Sequence, residues 1–341
     1  MQKINFAIPA DTGLVILTGG IPIMKKILAL TLALCMVFAL CACGSSDVTE
    51  IKYATGGSSG TYYGFSGVIA NVLNEKLGDT MNITVESTGA SKANLQMLDV
   101  GEANLAIVQN DVMYYAYTAT DLFATEPAIT NFSAVASCYP EYIQIVAKDE
   151  IKSVDDLRGK NVSVGDAGSG CEFNARQILA AYGMSFDDIT PSYQSFADSA
   201  DSLKNGTIDA AFVVAGYPTT AVTELATSYD FNLVPIEADK AAELQEQYGF
   251  YFYGSIPGGT YSCVEEDVPA VAVMATIVAS NDLSEDVIYA FVKGLFDYKA
   301  EITAGHVKGN ELDINTAVSG VSIPWHPGAV KYFAEQGITL E

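Results

Sequence analysis

YATGGSSGTYYGFSGVIANVL, residues 53–73, decides how the rest of the chain is read. A short strand-like run, Ile51 to Ala54, enters a loop of glycines and hydroxyls, and an amphipathic helix leaves it. Phe65, Ile69, Val72, Leu73 and Leu77 recur along one helical face, and Gly78 supplies a stop. Strand, Gly/Ser loop and helix open a parallel α/β unit. The loop lies where such units bind ligands, beyond the carboxyl end of a strand.

The pattern continues outward. Ile83-Thr84-Val85 reads as a second strand and Ser91 to Val100 as a second helix. A third strand, Leu105 to Val108, ends in Gln109-Asn110-Asp111. The order then recurs: a strand at Asn161 to Gly165, a loop at 166–170, and a helix at Glu172 to Tyr182 closed by Gly183. LKNGTIDAAFVV (203–214) echoes LDVGEANLAIVQ (98–109). Strands alternating with helices predict parallel sheets. The fold class expected is α/β, two-lobed and of the type II periplasmic-binding-protein kind, each lobe a mixed, mostly parallel sheet flanked by helices. Two apolar segments, Ala134 to Ala147 and Val271 to Ala279, serve as hinge strands between the lobes. Residues 51–137 plus 275–341 are expected to form the first lobe and 138–274 the second, with the mostly helical tail after Asp286 packed on the first.

The N-terminal region reads as an address. Met24-Lys25-Lys26 precedes an unbroken apolar run from Ile27 to Leu40, followed by Cys41-Ala42-Cys43-Gly44. A basic start and an apolar run too short to span a bilayer mark a secretory signal, here 24–42. Leu40-Cys41-Ala42-Cys43 resembles a bacterial lipobox, so Cys43 is expected to carry lipid, with 43–50 as a tether. Residues 1–23 do not belong before a signal peptide. Gly19-Gly20 can be encoded by a ribosome-binding sequence, so translation is expected from Met24, with 1–23 an untranslated leader.

Residues 1–42 hold three Lys and one Asp, leaving 14 Lys/Arg against 40 Asp/Glu from Cys43 onward, a net charge near −26. That argues against nucleic acid or an anionic membrane surface as partner. Cys138, Cys171 and Cys263 are an odd set without metal-like spacing, and three buried free thiols are expected. With two histidines, His306 and His326, no metal site is expected, and no cofactor.

Both Gly/Ser loops run into helix starts, where unpaired N–H groups and the positive dipole end attract anions. Ser58, Ser59, Thr61 and Ser169 add hydroxyls. No Lys follows either loop, which excludes a P-loop, and the first lacks the Gly-x-Gly-x-x-Gly of dinucleotide folds. Gly56-Gly57-Ser58-Ser59-Gly60 fits the Gly-x-Ser-x-Gly elbow of α/β-hydrolases, so a serine hydrolase using Ser58 is the alternative. It follows the first strand of the mature chain, however, where a hydrolase needs an earlier strand for its oxyanion loop.

At this point an ordered series of motifs resembles a known family. TGGSSGTYY (55–63), GEANLAIVQND (101–111), YPEY (139–142), DLRGK (156–160), GSG (168–170) and HPGA (326–329) resemble the TAXI family, solute receptors of TRAP transporters. The resemblance runs from about Ile51 to the C-terminus. It implies a non-enzymatic, extracytoplasmic receptor, monomeric and held to the membrane only by its lipid. Such a receptor closes on a small carboxylate, a glutamate-like amino acid or organic acid, and delivers it to the TRAP membrane permease. Cys171 stands where the family more often has Thr. Carried over, the binding residues are Gly57, Ser58, Ser59, Gly60, Thr61, Tyr62, Ser91, Gln109 and Asp111, with Ser169, Gly170 and Tyr217 from the second lobe. Asp111 is equally well read as a helix cap, Tyr139 to Tyr142 as hinge, and His326 as a capping residue. The two arginines, Arg158 and Arg176, are placed away from the cleft, so the carboxylate is expected to rest on N–H groups and hydroxyls.

Overall fold

In the first strand, β1 (Thr49–Ala54), Ile51 and Tyr53 are buried while Glu50 and Lys52 face solvent, the period-two alternation of a half-buried strand. The computed structural model of the chain describes residues 48–340. The leader, the signal peptide and Cys43 lie outside the described residues. Thr49 and Glu50, expected in the tether, instead pair with Met81 and Asn82 in the sheet.

The chain folds into two units with the same internal order. In the first, β1 leads to α1 (Thr61–Leu77), β2 (Met81–Glu86), α2 (Ser91–Asp99), β3 (Leu105–Gln109) and α3 (Asn110–Thr118). The long β4 (Phe132–Ala147) then crosses to the second unit. There, β5 (Asn161–Ser163) leads to α4 (Gly170–Ala181), β6 (Thr190–Ser192), α5 (Phe196–Lys204), β7 (Ala210–Ala215) and α6 (Thr220–Ala226). In each unit the first strand is central and parallel to the other two, giving β2-β1-β3 and β6-β5-β7. The sequence echo is thus an architectural repeat. Three elements follow that the periodicity did not mark: β8 (Asn232–Val234), α7 (Ala238–Tyr248) and β9 (Phe252–Ile256).

The returning strand, β10 (Val268–Ser280), is antiparallel to both β3 and β4, and β4 is antiparallel to β7, so all ten strands form one curled mixed sheet. The fold class read from the sequence is the one found. The β4–β10 register shifts twice, between Ala275 and Thr276 and between Ile277 and Val278. Extra residues in a strand pair bend the ladder and sharpen its twist. The tail supplies α8 (Glu285–Asp297), α9 (Lys299–Gly305) and α10 (Pro327–Glu335).

The buried side chains cluster accordingly. Two clusters draw on residues 51–139 and 275–333, including Phe65, Phe291 and Phe333. The other two draw on 142–273, including Phe212 and Tyr251. Below we call these the first and second lobes. Among the described residues no helix is long and apolar enough to cross a membrane.

Candidate functional site

In parallel α/β units, the helix that follows each strand points its N-terminus at the carboxyl edge of the sheet. The two units turn these edges toward one another, and a cavity of about 50 Å³ lies between them. Four helix starts reach it: Gly56, Gly57, Ser59, Gly60, Thr61 and Tyr62 at α1, Ala90 and Ser91 at α2, Ser169, Gly170 and Cys171 at α4, and Ser195 and Phe196 at α5. Gln109 ends β3 beside it, Val214 and Ala215 close β7, and Glu141 and Asp166 complete the wall. By topology α1 matches α4 and α2 matches α5, so the repeat places equivalent helix starts on both sides.

Four positive dipole ends favour negative charge here. Their N–H groups are not equally free. Ser169 caps α4 by accepting from the Glu172 amide at 3.1 Å, and Ser195 caps α5 by accepting from the Asp198 amide at 3.2 Å. Gly60 and Ala90, at the N-caps of α1 and α2, make no side-chain cap. A buried helix start without a cap leaves its first N–H groups for water or a ligand. Ala90 also has φ 68° and ψ −150°, a conformation costly for a residue with a side chain and of the kind that gathers at binding sites.

Nine of the twelve expected residues therefore line the cavity: Gly57, Ser59, Gly60, Thr61, Tyr62, Ser91, Gln109, Ser169 and Gly170. Three do not. Ser58 is exposed at the loop's outer edge. Tyr217 packs its ring 5.1 Å from that of Tyr142, centroid to centroid, with the Lys308 ammonium 4.6 Å above it. Asp111 is fully buried, accepts from the Val112 amide at 2.8 Å, and is held by Asn174 of the other lobe at 2.9 Å. Two of the expected hydroxyls also have other work. Thr61 donates to the Gly216 carbonyl across the cleft at 2.8 Å, and Ser91 accepts from the Gln109 amide at 3.1 Å.

The lobes touch through more than Thr61. Gln109 Nε2 donates to Asn174 Oδ1 at 3.0 Å, Gln177 Nε2 donates to the Tyr115 hydroxyl at 3.3 Å, and the Ala221 amide donates to the Ser59 carbonyl at 3.2 Å. Asn174 Nδ2 also donates to the Tyr251 hydroxyl at 2.8 Å, and Tyr251 in turn donates to Gln177. This buried polar layer from β3 and α3 onto α4 sits beside the cavity.

Reasoning from sequence missed Glu141, Asp166, Ser195 and Phe196. The repeat was the usable signal for the last two: they begin α5 as Ser91 begins α2. Glu141 was read as hinge, and it does lie on the crossing strand β4, with its carboxyl turned to the cavity. Both arginines are outside, as expected. Arg158 pairs with Asp188 at 3.0 Å, and Arg176 pairs with Glu172 at 2.6 Å, its guanidinium 3.9 Å over the Phe186 ring. Lys92 pairs with Glu126 at 2.5 Å. Lys52 lies within β1 and faces solvent.

The hydrolase alternative requires a base beside Ser58. His326 instead caps α10, accepting from the Gly328 amide at 3.2 Å, and its Nε2 lies 3.1 Å from the Leu283 carbonyl. His306 accepts from the Lys308 amide at 3.2 Å and packs edge-on to Phe65. Neither histidine is hydrogen-bonded to Ser58. The three cysteines of the described residues are free thiols, Cys138 and Cys171 buried and Cys263 only half-buried. Among the described residues no group of three His, Cys, Asp or Glu converges as metal ligands would.

A model of the NMT1-like family matches residues 53–337. The chain belongs to this family. The match takes in both Gly/Ser loops, both crossing strands and every residue of the cavity wall. Several solved structures are similar to this NMT1-like chain at low identity. The periplasmic aliphatic sulphonate binding protein SsuA from Escherichia coli is 17% identical with a TM-score of 0.43, over 84% of this chain and 83% of that one. The alkanesulfonate-binding protein of Xanthomonas axonopodis pv. citri, bound to MOPS, is 16% identical with a TM-score of 0.43, over 85% and 84%. A periplasmic binding protein of Salmonella typhimurium with high arginine specificity is 13% identical with a TM-score of 0.45, over 76% and 99%.

Proposed function

We propose that this NMT1-like chain is a solute-binding receptor that captures a small carboxylate between its lobes and hands it to a membrane permease. One observation carries the reading: the N-termini of four helices from two repeated units converge on a single cavity, and two of them lack side-chain caps. An anion there accepts hydrogen bonds from backbone N–H groups and meets aligned dipoles, with no cation needed. Each dipole contributes up to about 2 kcal/mol when partly buried, and each hydrogen bond to charge about 1.5–3 kcal/mol. That suffices for micromolar binding.

The motif series resembling TAXI receptors supports a TRAP-type permease as partner and an extracytoplasmic setting, with Cys43 as the lipid anchor. Uptake in a reconstituted system that follows an ion gradient and ignores ATP is the outcome expected of that partner. The moving bodies on this reading are 51–137 with 275–341, and 138–274. They pivot at the register shifts of β4 and β10, since hinges absorb backbone rotation at a few positions while packed lobes stay rigid. Solution scattering is expected to show the free protein more extended than the protein saturated with its carboxylate. An unchanged radius of gyration on saturation would sink the capture mechanism.

A further inference from the structure

The cavity is polarised in a way that a simple anion does not satisfy. Glu141 projects from β4 into it and is only 2% exposed. The Tyr62 hydroxyl donates to its Oε2 at 2.6 Å. Gln109, 3% exposed, spends its amide nitrogen on Asn174 and leaves Oε1 buried without a partner. Asp166 adds a second carboxyl, while no Lys, Arg or His is in the wall. The buried Lys308 pairs with Glu311 at 2.6 Å and lies over the Tyr139 and Tyr217 rings.

A solute bearing only a carboxylate would put its charge beside two acids, and would leave the buried Gln109 Oε1 unpaired. A buried acceptor left without a donor is costly, because its lost hydration is not replaced. A solute that also presents an ammonium meets both demands. Resting on the solute-binding reading above, we infer that Glu141 is the specificity-determining residue of the site. Oriented by Tyr62, it pairs with the solute's amino group while the helix starts hold the carboxylate. Burial pushes the Glu141 carboxyl well above the usual range, opposed by the Tyr62 hydrogen bond, with Asp111 adding to the rise and Lys308 opposing it. A bound ammonium relieves that burden.

The test compares matched pairs that differ only in the amine: glycine and acetate, L-glutamate and glutarate, L-leucine and 4-methylpentanoate. Titration calorimetry on the full chain from Cys43 reads both members. For the pair that binds, the amino compound is expected to bind roughly 10- to 100-fold more tightly, the size of a hydrogen bond to charge. In Glu141→Gln the ratio is expected to fall to within about threefold of unity. Tyr62→Phe keeps the carboxylate but frees it, and is expected to lower the ratio by an intermediate amount. A purely structural Glu141 would weaken both members equally, and an unchanged ratio in Glu141→Gln overturns the inference. So does a wild-type protein that binds both members alike, though carboxylate capture then stands. Binding of neither member of any pair overturns both readings together.

Discussion

Gly170→Ala is expected to weaken solute binding by roughly 30- to 700-fold, the equivalent of about 2–4 kcal/mol. Gly170 opens α4, and a Cβ there would lie 1.7 Å from Gln109 Oε1, 2.6 Å from its Cδ and 3.1 Å from Val112 Cγ2. Those atoms belong to β3 and α3 of the first lobe. Two relaxations are open to the molecule. The Gln109 carboxamide can swing aside, which breaks its bond to Asn174 and drives it into the cavity, or the lobes can part. Both act against capture. Overpacking costs about 1–3 kcal/mol and the lost hydrogen bond about 0.5–1.5 kcal/mol. Arg176→Ala, on the same helix, is the control: its ion pair with Glu172 is half-exposed and outside the cavity, so its effect should stay near the 0–1 kcal/mol of surface pairs. Calorimetry on the two variants side by side checks this. Near-equal affinities would show that the α4 start does not contact the solute.

The second large effect is in the pH dependence of stability. Burial raises the Asp111 carboxyl from 3.8 to about 6, against the pull of its bonds to Asn174 and the Val112 amide. A raised value means that the folded state holds the proton more tightly than the unfolded chain does. The contribution is therefore fully present below about pH 4 and is lost as pH climbs through about 6. Converted at 1.36 kcal/mol per pH unit, the change is about 3 kcal/mol. Urea unfolding of wild type and Asp111→Asn, compared at pH 4 and pH 7, isolates it, because the other titrating groups are shared. Wild type is expected to lose stability relative to the variant as pH rises. A difference that is flat, or that grows in favour of wild type, contradicts the burial argument.

How far the sequence carried can be judged residue by residue. The glycine loops and the first-lobe helices were legible because hydrophobic period and Gly placement are local signals, and those loops do front the cavity. The contacts of Asp111 were not. Its partner Asn174 is 63 residues away, and an Asp before a valine looks like a cap from sequence alone. Thr61 shows the same limit. Its hydroxyl bonds the Gly216 carbonyl, 155 residues on, so it ties the lobes together where a solute contact was expected. Glu141 was hidden by its setting in Tyr139-Pro-Glu-Tyr, since strand alternation says which face a side chain takes but not what that face opens onto. Ser195 and Phe196 were within reach, had the repeat been followed one helix further.

The account stands on capture of a small solute, and ligand-induced thermal stabilisation tests that most directly. The protein would be heated with each of the common L-amino acids and small organic acids at 1 mM. A ligand at 100 times its Kd stabilises by about 2.7 kcal/mol, which for a chain of this size raises Tm by about 4 °C. The account predicts a rise of that order for at least one carboxylate, largest among those that also bear an amine. A flat profile across every amino acid and organic acid would contradict it.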